Sequence, residues 1–137
     1  MKHNTTGFLT LLFAALLGSA ATALAEGEGG VEYVKITEDM VVNYGDPSLN
    51  RLNYLKVAIH ARVADASAAD MIEYHLPALR DALIMLLSAQ HSETVRSAEG
   101  KEEIRLMVLK KMQKLLKAEE NEEYITDVLF SRFVVQR

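Results

Sequence analysis

Six apolar residues in a row, Ala82-Leu83-Ile84-Met85-Leu86-Leu87, sit inside a stretch from Leu76 to Ser88 whose apolar spacing is helical. Ile72, Leu76, Leu79, Leu83 and Leu86 recur at steps of four, three, four and three, which places them on one stripe. A surface helix needs only such a stripe covered. Here nearly two turns lack a polar side. A sheet covers one side of the segment, and a further helix or another subunit has to cover the other. A chain that spends its apolar residues this way is built to pack and assemble. Neither this segment nor the apolar run from Asp127 to Gln136 carries a nucleophile–base pair, a metal-ligand spacing or a glycine-rich phosphate loop.

The segments around that helix set the fold class. Val31 to Ile36 and Met40 to Tyr44 are short β-rich runs, separated by a turn or bend at Thr37-Glu38-Asp39. Gly45-Asp46-Pro47-Ser48 is a loop. From Leu52 to Val63 the pattern alternates. Leu55, Val57, Ile59, Ala61 and Val63 share one face, and Tyr54, Lys56, His60 and Arg62 share the other. Asp65 or Ser67 caps the helix that follows, Ser67 and Asp70 having the capping-box spacing. Pro77 cannot donate to the carbonyl of Glu73, so a kink or break is expected near His75, with Pro77 in the first turn of a second segment.

A second helix is expected from Glu99 to Ala118, opened by Ser97 and buried through Ile104, Val108, Met112, Leu115 and Leu116. Its acids cluster at the start and its lysines at the end, which suits the helix dipole. Ala118 to Glu123 reads as an acidic loop, and Ile125 to Val135 as a closing strand. Val128 and Phe130 have one parity, Phe133 and Val135 the other. Burying all four requires a β-bulge at Ser131-Arg132. The order β-β-β-α-α-β predicts an α+β fold, an antiparallel sheet of about four strands packed by two or three helices.

The N-terminus points to export. Gly7 to Ala25 is 19 residues without charge, followed by the acidic, flexible linker 26–30. The length is that of a membrane anchor, but Ala23-Leu24-Ala25 fits a signal-peptide cleavage site and favours cleavage at Ala25–Glu26. Residues 1–25 are therefore read as a signal peptide or N-terminal anchor and 31–137 as one exported domain. Lys2 is the only charged residue in the first 25, so the remainder carries 14 basic and 19 acidic residues, a net charge of −5. That balance excludes nucleic acid as a partner, which needs a basic face. With no cysteine at all, an exported domain must be held by its core alone, as suits a bacterial periplasm.

Catalysis finds little support. His60, His75 and His91 are not spaced i, i+3 or i+4, so a zinc site would need distant segments. Arg80 and Asp81 are adjacent on a helix and do not face each other, so they form no catalytic pair. They are read instead as polarity on the helix's wet strip or as contacts with a partner. If the helix stripe takes the sheet, Ile84 or Met85 is left exposed. Arg80, Asp81, Ile84 and Met85 are thus the candidate interface residues, and no catalytic, cofactor or metal residue is assigned.

The ordered stretches of this chain resemble the flagellar basal-body-associated protein family FliL. They are Tyr33-Val34-Lys35, Val41-Val42-Asn43, Tyr54-Leu55-Lys56-Val57, His75-Leu76-Pro77-Ala78-Leu79-Arg80-Asp81-Ala82-Leu83, Leu86-Leu87-Ser88, Glu99-Gly100-Lys101 and Phe133-Val134-Val135-Gln136. The resemblance implies a non-enzymatic, stomatin/prohibitin-like periplasmic domain that forms rings. Its partners would be flagellar stator and basal-body proteins and other copies of itself, beside the inner membrane if the N-terminal segment is uncleaved. Members usually carry a longer cytoplasmic N-terminus and a firm anchor. Here six residues precede the apolar stretch, and the five-residue linker reaches about 17 Å at full extension. The alternatives are a soluble periplasmic scaffold or ring-forming paralogue outside the flagellum and, remotely, a metal-dependent enzyme. Mass spectrometry of the native protein is expected to find a chain beginning at Glu26 in the soluble periplasmic fraction. Full-length chain confined to the inner membrane would restore the anchored topology.

Overall fold

The structure is a computed structural model that describes residues 32–46, 48 and 53–136. The expected signal peptide or anchor and the linker lie outside the described residues. The elements run β1 (Glu32–Tyr44), β2 (Asn53–Val63), α1 (Ala66–Ser88), α2 (Ser92–Arg96), α3 (Ala98–Glu120) and β3 (Ile125–Gln136). The strands form one antiparallel sheet in the order β1-β2-β3. α1 packs on β1, α3 on β3, and the two helices pack on each other. The architecture is α+β, as expected, with three strands among the described residues where about four were anticipated.

The missing strand boundary has a physical cause. Thr37-Glu38-Asp39 does not turn the chain. Instead, β1 continues as a single 13-residue strand whose register with β2 slips between Lys35 and Thr37 and again between Thr37 and Met40. A bulge and a bend both place polar residues between apolar runs. The bulge keeps Ile36, Thr37 and Met40 buried while Glu38 and Asp39 swing outward.

Pro77 also acts differently from expectation. α1 is one continuous helix of 23 residues with Pro77 inside it. The carbonyl left without its helical donor belongs to Glu73, and Glu73 and Pro77 both lie on the exposed side of the helix. Ala68, Ile72, Leu79, Leu83 and Leu87 are buried on both sides of the proline and hold the two halves in one line. Leu76 and Leu86 flank that stripe and are half-buried.

Both helix starts follow from the sequence. Asp65 accepts a hydrogen bond from the Ala68 amide at 2.9 Å, and the Ser67 hydroxyl supports it by donating to the Asp65 carboxylate at 2.6 Å. The same two bonds, that of Ser67 first, hold the Asp65 carboxyl below its ordinary pKa. Ser97 accepts from the Gly100 amide at 2.9 Å. The short helix α2 has no counterpart in the periodicity reading. It anchors the connection by burying Val95 and ends on Ser97, which caps α3.

β3 carries the expected irregularity. Ala58 pairs with Arg132 but Ile59 pairs with Phe130, so Ser131 is the extra residue. A second slip leaves Thr126 unpaired between Ile125 and Asp127. Val128 is buried, whereas Phe130, Phe133 and Val135 are half-buried, because they line an edge strand that α3 covers from one side only. Their rings are still ordered: Phe130 and Phe133 stack at 5.3 Å, and the Lys101 ammonium lies 5.3 Å above Phe133.

Gly100 gives a sign test of this packing. Glycine to alanine within a helix ordinarily stabilises by about 1 kcal/mol. A Cβ on Gly100 would lie 2.0 Å from the Thr94 carbonyl oxygen, where α2 crosses the start of α3. Gly100→Ala is therefore expected to destabilise the domain by about 1–3 kcal/mol, read as a lower urea midpoint. A variant as stable as the parent would show that the α2–α3 crossing yields freely.

Candidate interaction surfaces

The candidate residues Arg80, Asp81, Ile84 and Met85 all lie on α1, but they do not share one role. Successive helical residues are about 100° apart, so Arg80 leans toward β1 while Asp81 faces away. The Arg80 Nε donates to the Ile36 carbonyl at 2.7 Å. Ile36 is the unpaired residue of the first β1 bulge and is wholly buried. Arg80 thereby satisfies an acceptor that the irregular ladder leaves over. It is a joint between helix and sheet.

Asp81, Ile84 and Met85 point outward. Ile84 is 44% and Met85 69% exposed, as the stripe argument requires when Leu83 and Leu87 take the core. Tyr74, 77% exposed, extends the same ridge one turn beyond Pro77 and Ala78. From Tyr74 through Asp81 to Met85 the ridge is apolar with a single carboxylate at its centre, and Glu73 at its margin is exposed too. Tyr74 was missed in the sequence. The signal was present, since it lies seven residues before Asp81 and hence on the same face.

A second surface is the sheet face that no described helix covers. Here Val41, Lys56 and Val134 form one cross-strand row, and Lys35, His60 and Leu129 another. Tyr33 pairs with Arg62 at one end. Tyr33, Val41, Leu129 and Val134 are exposed apolar side chains on this face. At its centre Asp39, swung out by the second bulge, meets Lys56 at 3.0 Å and Arg132 on the far strand. The hydrogen bond from Lys56 foremost, with help from Arg132, holds the Asp39 carboxyl below its usual range.

The edge between α3 and β3 is tied by Arg105, which reaches Glu102 at 2.6 Å and also binds Asp127. Glu102 first, then Asp127, raises the guanidinium pKa still further. The histidines stay apart. His75 bonds Glu120 at 2.6 Å and fastens α1 to the end of α3, His60 sits on the open sheet face, and His91 precedes α2 beside an open pocket of about 290 Å³ with Gly45 and Asp46. Among the described residues no group of three His, Cys, Asp or Glu is placed to hold a metal.

Arg80→Ala is expected to cost about 1–3 kcal/mol by orphaning the Ile36 carbonyl. Asp81→Ala is expected to stay within about 0.5 kcal/mol of the parent. Chemical denaturation of the two variants separates the joint from the surface, and equal losses would contradict the division.

Comparison with known proteins places this arrangement. Residues 33–136 match the family described as flagellar basal body-associated protein FliL. The chain is 31% identical over 116 residues to the flagellar protein FliL of Aquifex aeolicus, an alignment covering 85% of this chain and 68% of that protein. It is 25% identical over 99 residues to the flagellar protein FliL of Escherichia coli K12, covering 72% of this chain and 62% of that relative. The family is one of flagellar accessory proteins and not of enzymes. This chain belongs to the FliL family of flagellar basal body-associated proteins.

Proposed function

We propose that the protein is a periplasmic accessory of the flagellar motor that forms rings of identical copies beside the stator units and supports torque and swimming. Residues 1–25 direct export or anchor the chain at the inner membrane, 26–30 link, and 31–137 form the assembling, stomatin/prohibitin-like domain. Among the described residues no helix is long and apolar enough to cross a membrane. The observation that carries the reading is the α1 ridge. Ile84, Met85 and Tyr74 are large apolar side chains held outward on a rigid 23-residue helix in a chain of this family. An exposed apolar stripe on a well-packed element marks a contact with another protein.

Ile84→Glu tests it. The side chain is exposed, so the melting temperature is expected to hold while sedimentation shows loss of oligomers and swimming on soft agar falls. Normal swimming and unchanged assembly by Ile84→Glu and Met85→Glu together would remove the ridge from the mechanism. Unfolding of both variants would make these positions core.

A further inference from the structure

The main irregularities of the sheet fall on one line. The Glu38-Asp39 step of β1 lies across Ala58, between the pairs Thr37–Ile59 and Met40–Val57, and the extra residue Ser131 of β3 lies across the same Ala58–Ile59 step of β2. The ladder is interrupted there on both sides of β2, so side chains have to set the backbone conformation. They do so from both faces. On the helix side the Arg80 Nε donates to the Ile36 carbonyl at 2.7 Å. On the open side Asp39 binds Lys56 at 3.0 Å and also Arg132, the neighbour of Ser131. Ile36 and Asp39 are three residues apart, at most about 10 Å of strand. Ala58 belongs to the open face by parity yet is only 5% exposed, as expected of a residue roofed by the Asp39–Arg132 pair.

We propose that this line is a coupling device: the position of α1, transmitted by Arg80, sets the Thr37–Asp39 step, and Asp39 with Arg132 passes the setting to the Ser131 bulge on the far strand. Its two states are the latched one of this structure and a released one, in which Arg80 has left the Ile36 carbonyl and the bulge is free to move along β1. Such a move is discrete, because a shift of one residue exchanges inward and outward side chains. Arg80 is placed to be the trigger. It stands four residues before Ile84 and beside Asp81, on the flank of the exposed ridge, so a partner that turns α1 acts on its bond to Ile36. What is held at the ridge then alters where Asp39 and Arg132 stand on the open face. By linkage, a ligand that engages Asp39 on that face alters affinity at the ridge by the same factor. The device goes beyond the function proposed above and requires neither ring formation nor a stator contact.

Amide hydrogen exchange of the full chain, read by mass spectrometry, tests the coupling. Arg80→Gln is expected to speed exchange in the β3 segment Phe130–Phe133 at least threefold more than in the α3 core around Val108 and Met112, although β3 lies beyond β2 from Ile36. Asp39→Asn is expected to produce the reciprocal effect, a selective acceleration at Ile36 and Thr37. In the Asp39→Asn background, Arg80→Gln is expected to add no selective acceleration at Phe130–Phe133, since the link is already cut. Asp81→Ala, one residue away on the same helix, is the comparison and is expected to change none of these rates. Selective acceleration by Arg80→Gln that stops at Ile36 and Thr37 shows a local joint and overturns the coupling. Equal acceleration of every segment, α3 included, shows general loss of stability and overturns it too. So do independent effects of the two substitutions at Phe130–Phe133. Should Arg80→Gln fail to fold, Asp39→Asn decides alone, and parent rates at Ile36 and Thr37 refute the device.

Discussion

The buried face of β2 is the interaction on which the rest of the structure depends. Leu55, Val57, Ile59, Ala61 and Val63 are all at or below 4% exposure, and β2 is the strand that pairs on both sides. The stripes of α1 and α3 join these residues in one core. Each large side chain so buried contributes about 1.5–3 kcal/mol against leaving it in water, a large fraction of the net stability of a small domain. With no disulfide to constrain the unfolded chain, that strip and the two helices above it have to hold the fold.

Once β2 fixes which face is inside, the outer strands must conform to it, and their sequences do so only through bulges. In β1 the extra residue Ile36 and the Glu38-Asp39 step keep Val34, Met40 and Val42 inward. In β3 Ser131 restores Phe133 and Val135 to the side of Val128 and Phe130. Each bulge leaves something over, and the molecule uses it: Arg80 takes the Ile36 carbonyl, and Asp39 reaches across two strands. Because the Asp39 carboxyl is held below its ordinary pKa, its contribution is present above the unfolded value near 4 and fades as pH falls through the folded one. The group is exposed, so that contribution is small and weakened by salt.

The features legible in the sequence were those decided locally or by parity along one strand. Ser131 was foreseen because Val128, Phe130, Phe133 and Val135 cannot share a face without it. The cap Ser97 was readable from its place before apolar periodicity, whereas at the start of α1 the sequence left Asp65 and Ser67 open and the bond from the Ala68 amide decides for Asp65. Thr37 to Asp39 was not, since a polar interruption looks the same whether the chain bends away or bulges and continues, and only pairing with β2 decides. Pro77 was misjudged for a similar reason. The cost of its missing bond depends on whether Glu73 faces water, which the packing of α1 settles. The short helix α2 has too few residues to show a period.

The interaction surfaces were legible in part, and the part that was missed has a common cause. Ile84 and Met85 followed from geometry within one helix, where exposure is the complement of the buried stripe. The open sheet face required knowing that no fourth strand and no helix among the described residues covers it, and that Val41 and Val134 flank Lys56 from different strands. Register between segments ninety residues apart is not written in either segment alone. The same reasoning explains why Arg80 and Asp81, neighbours in sequence, take different parts. A turn of about 100° sends one side chain to a bulge and the other to the ridge. Among the described residues the large exposed apolar side chains of α1 and of the sheet thus lie on two opposed faces.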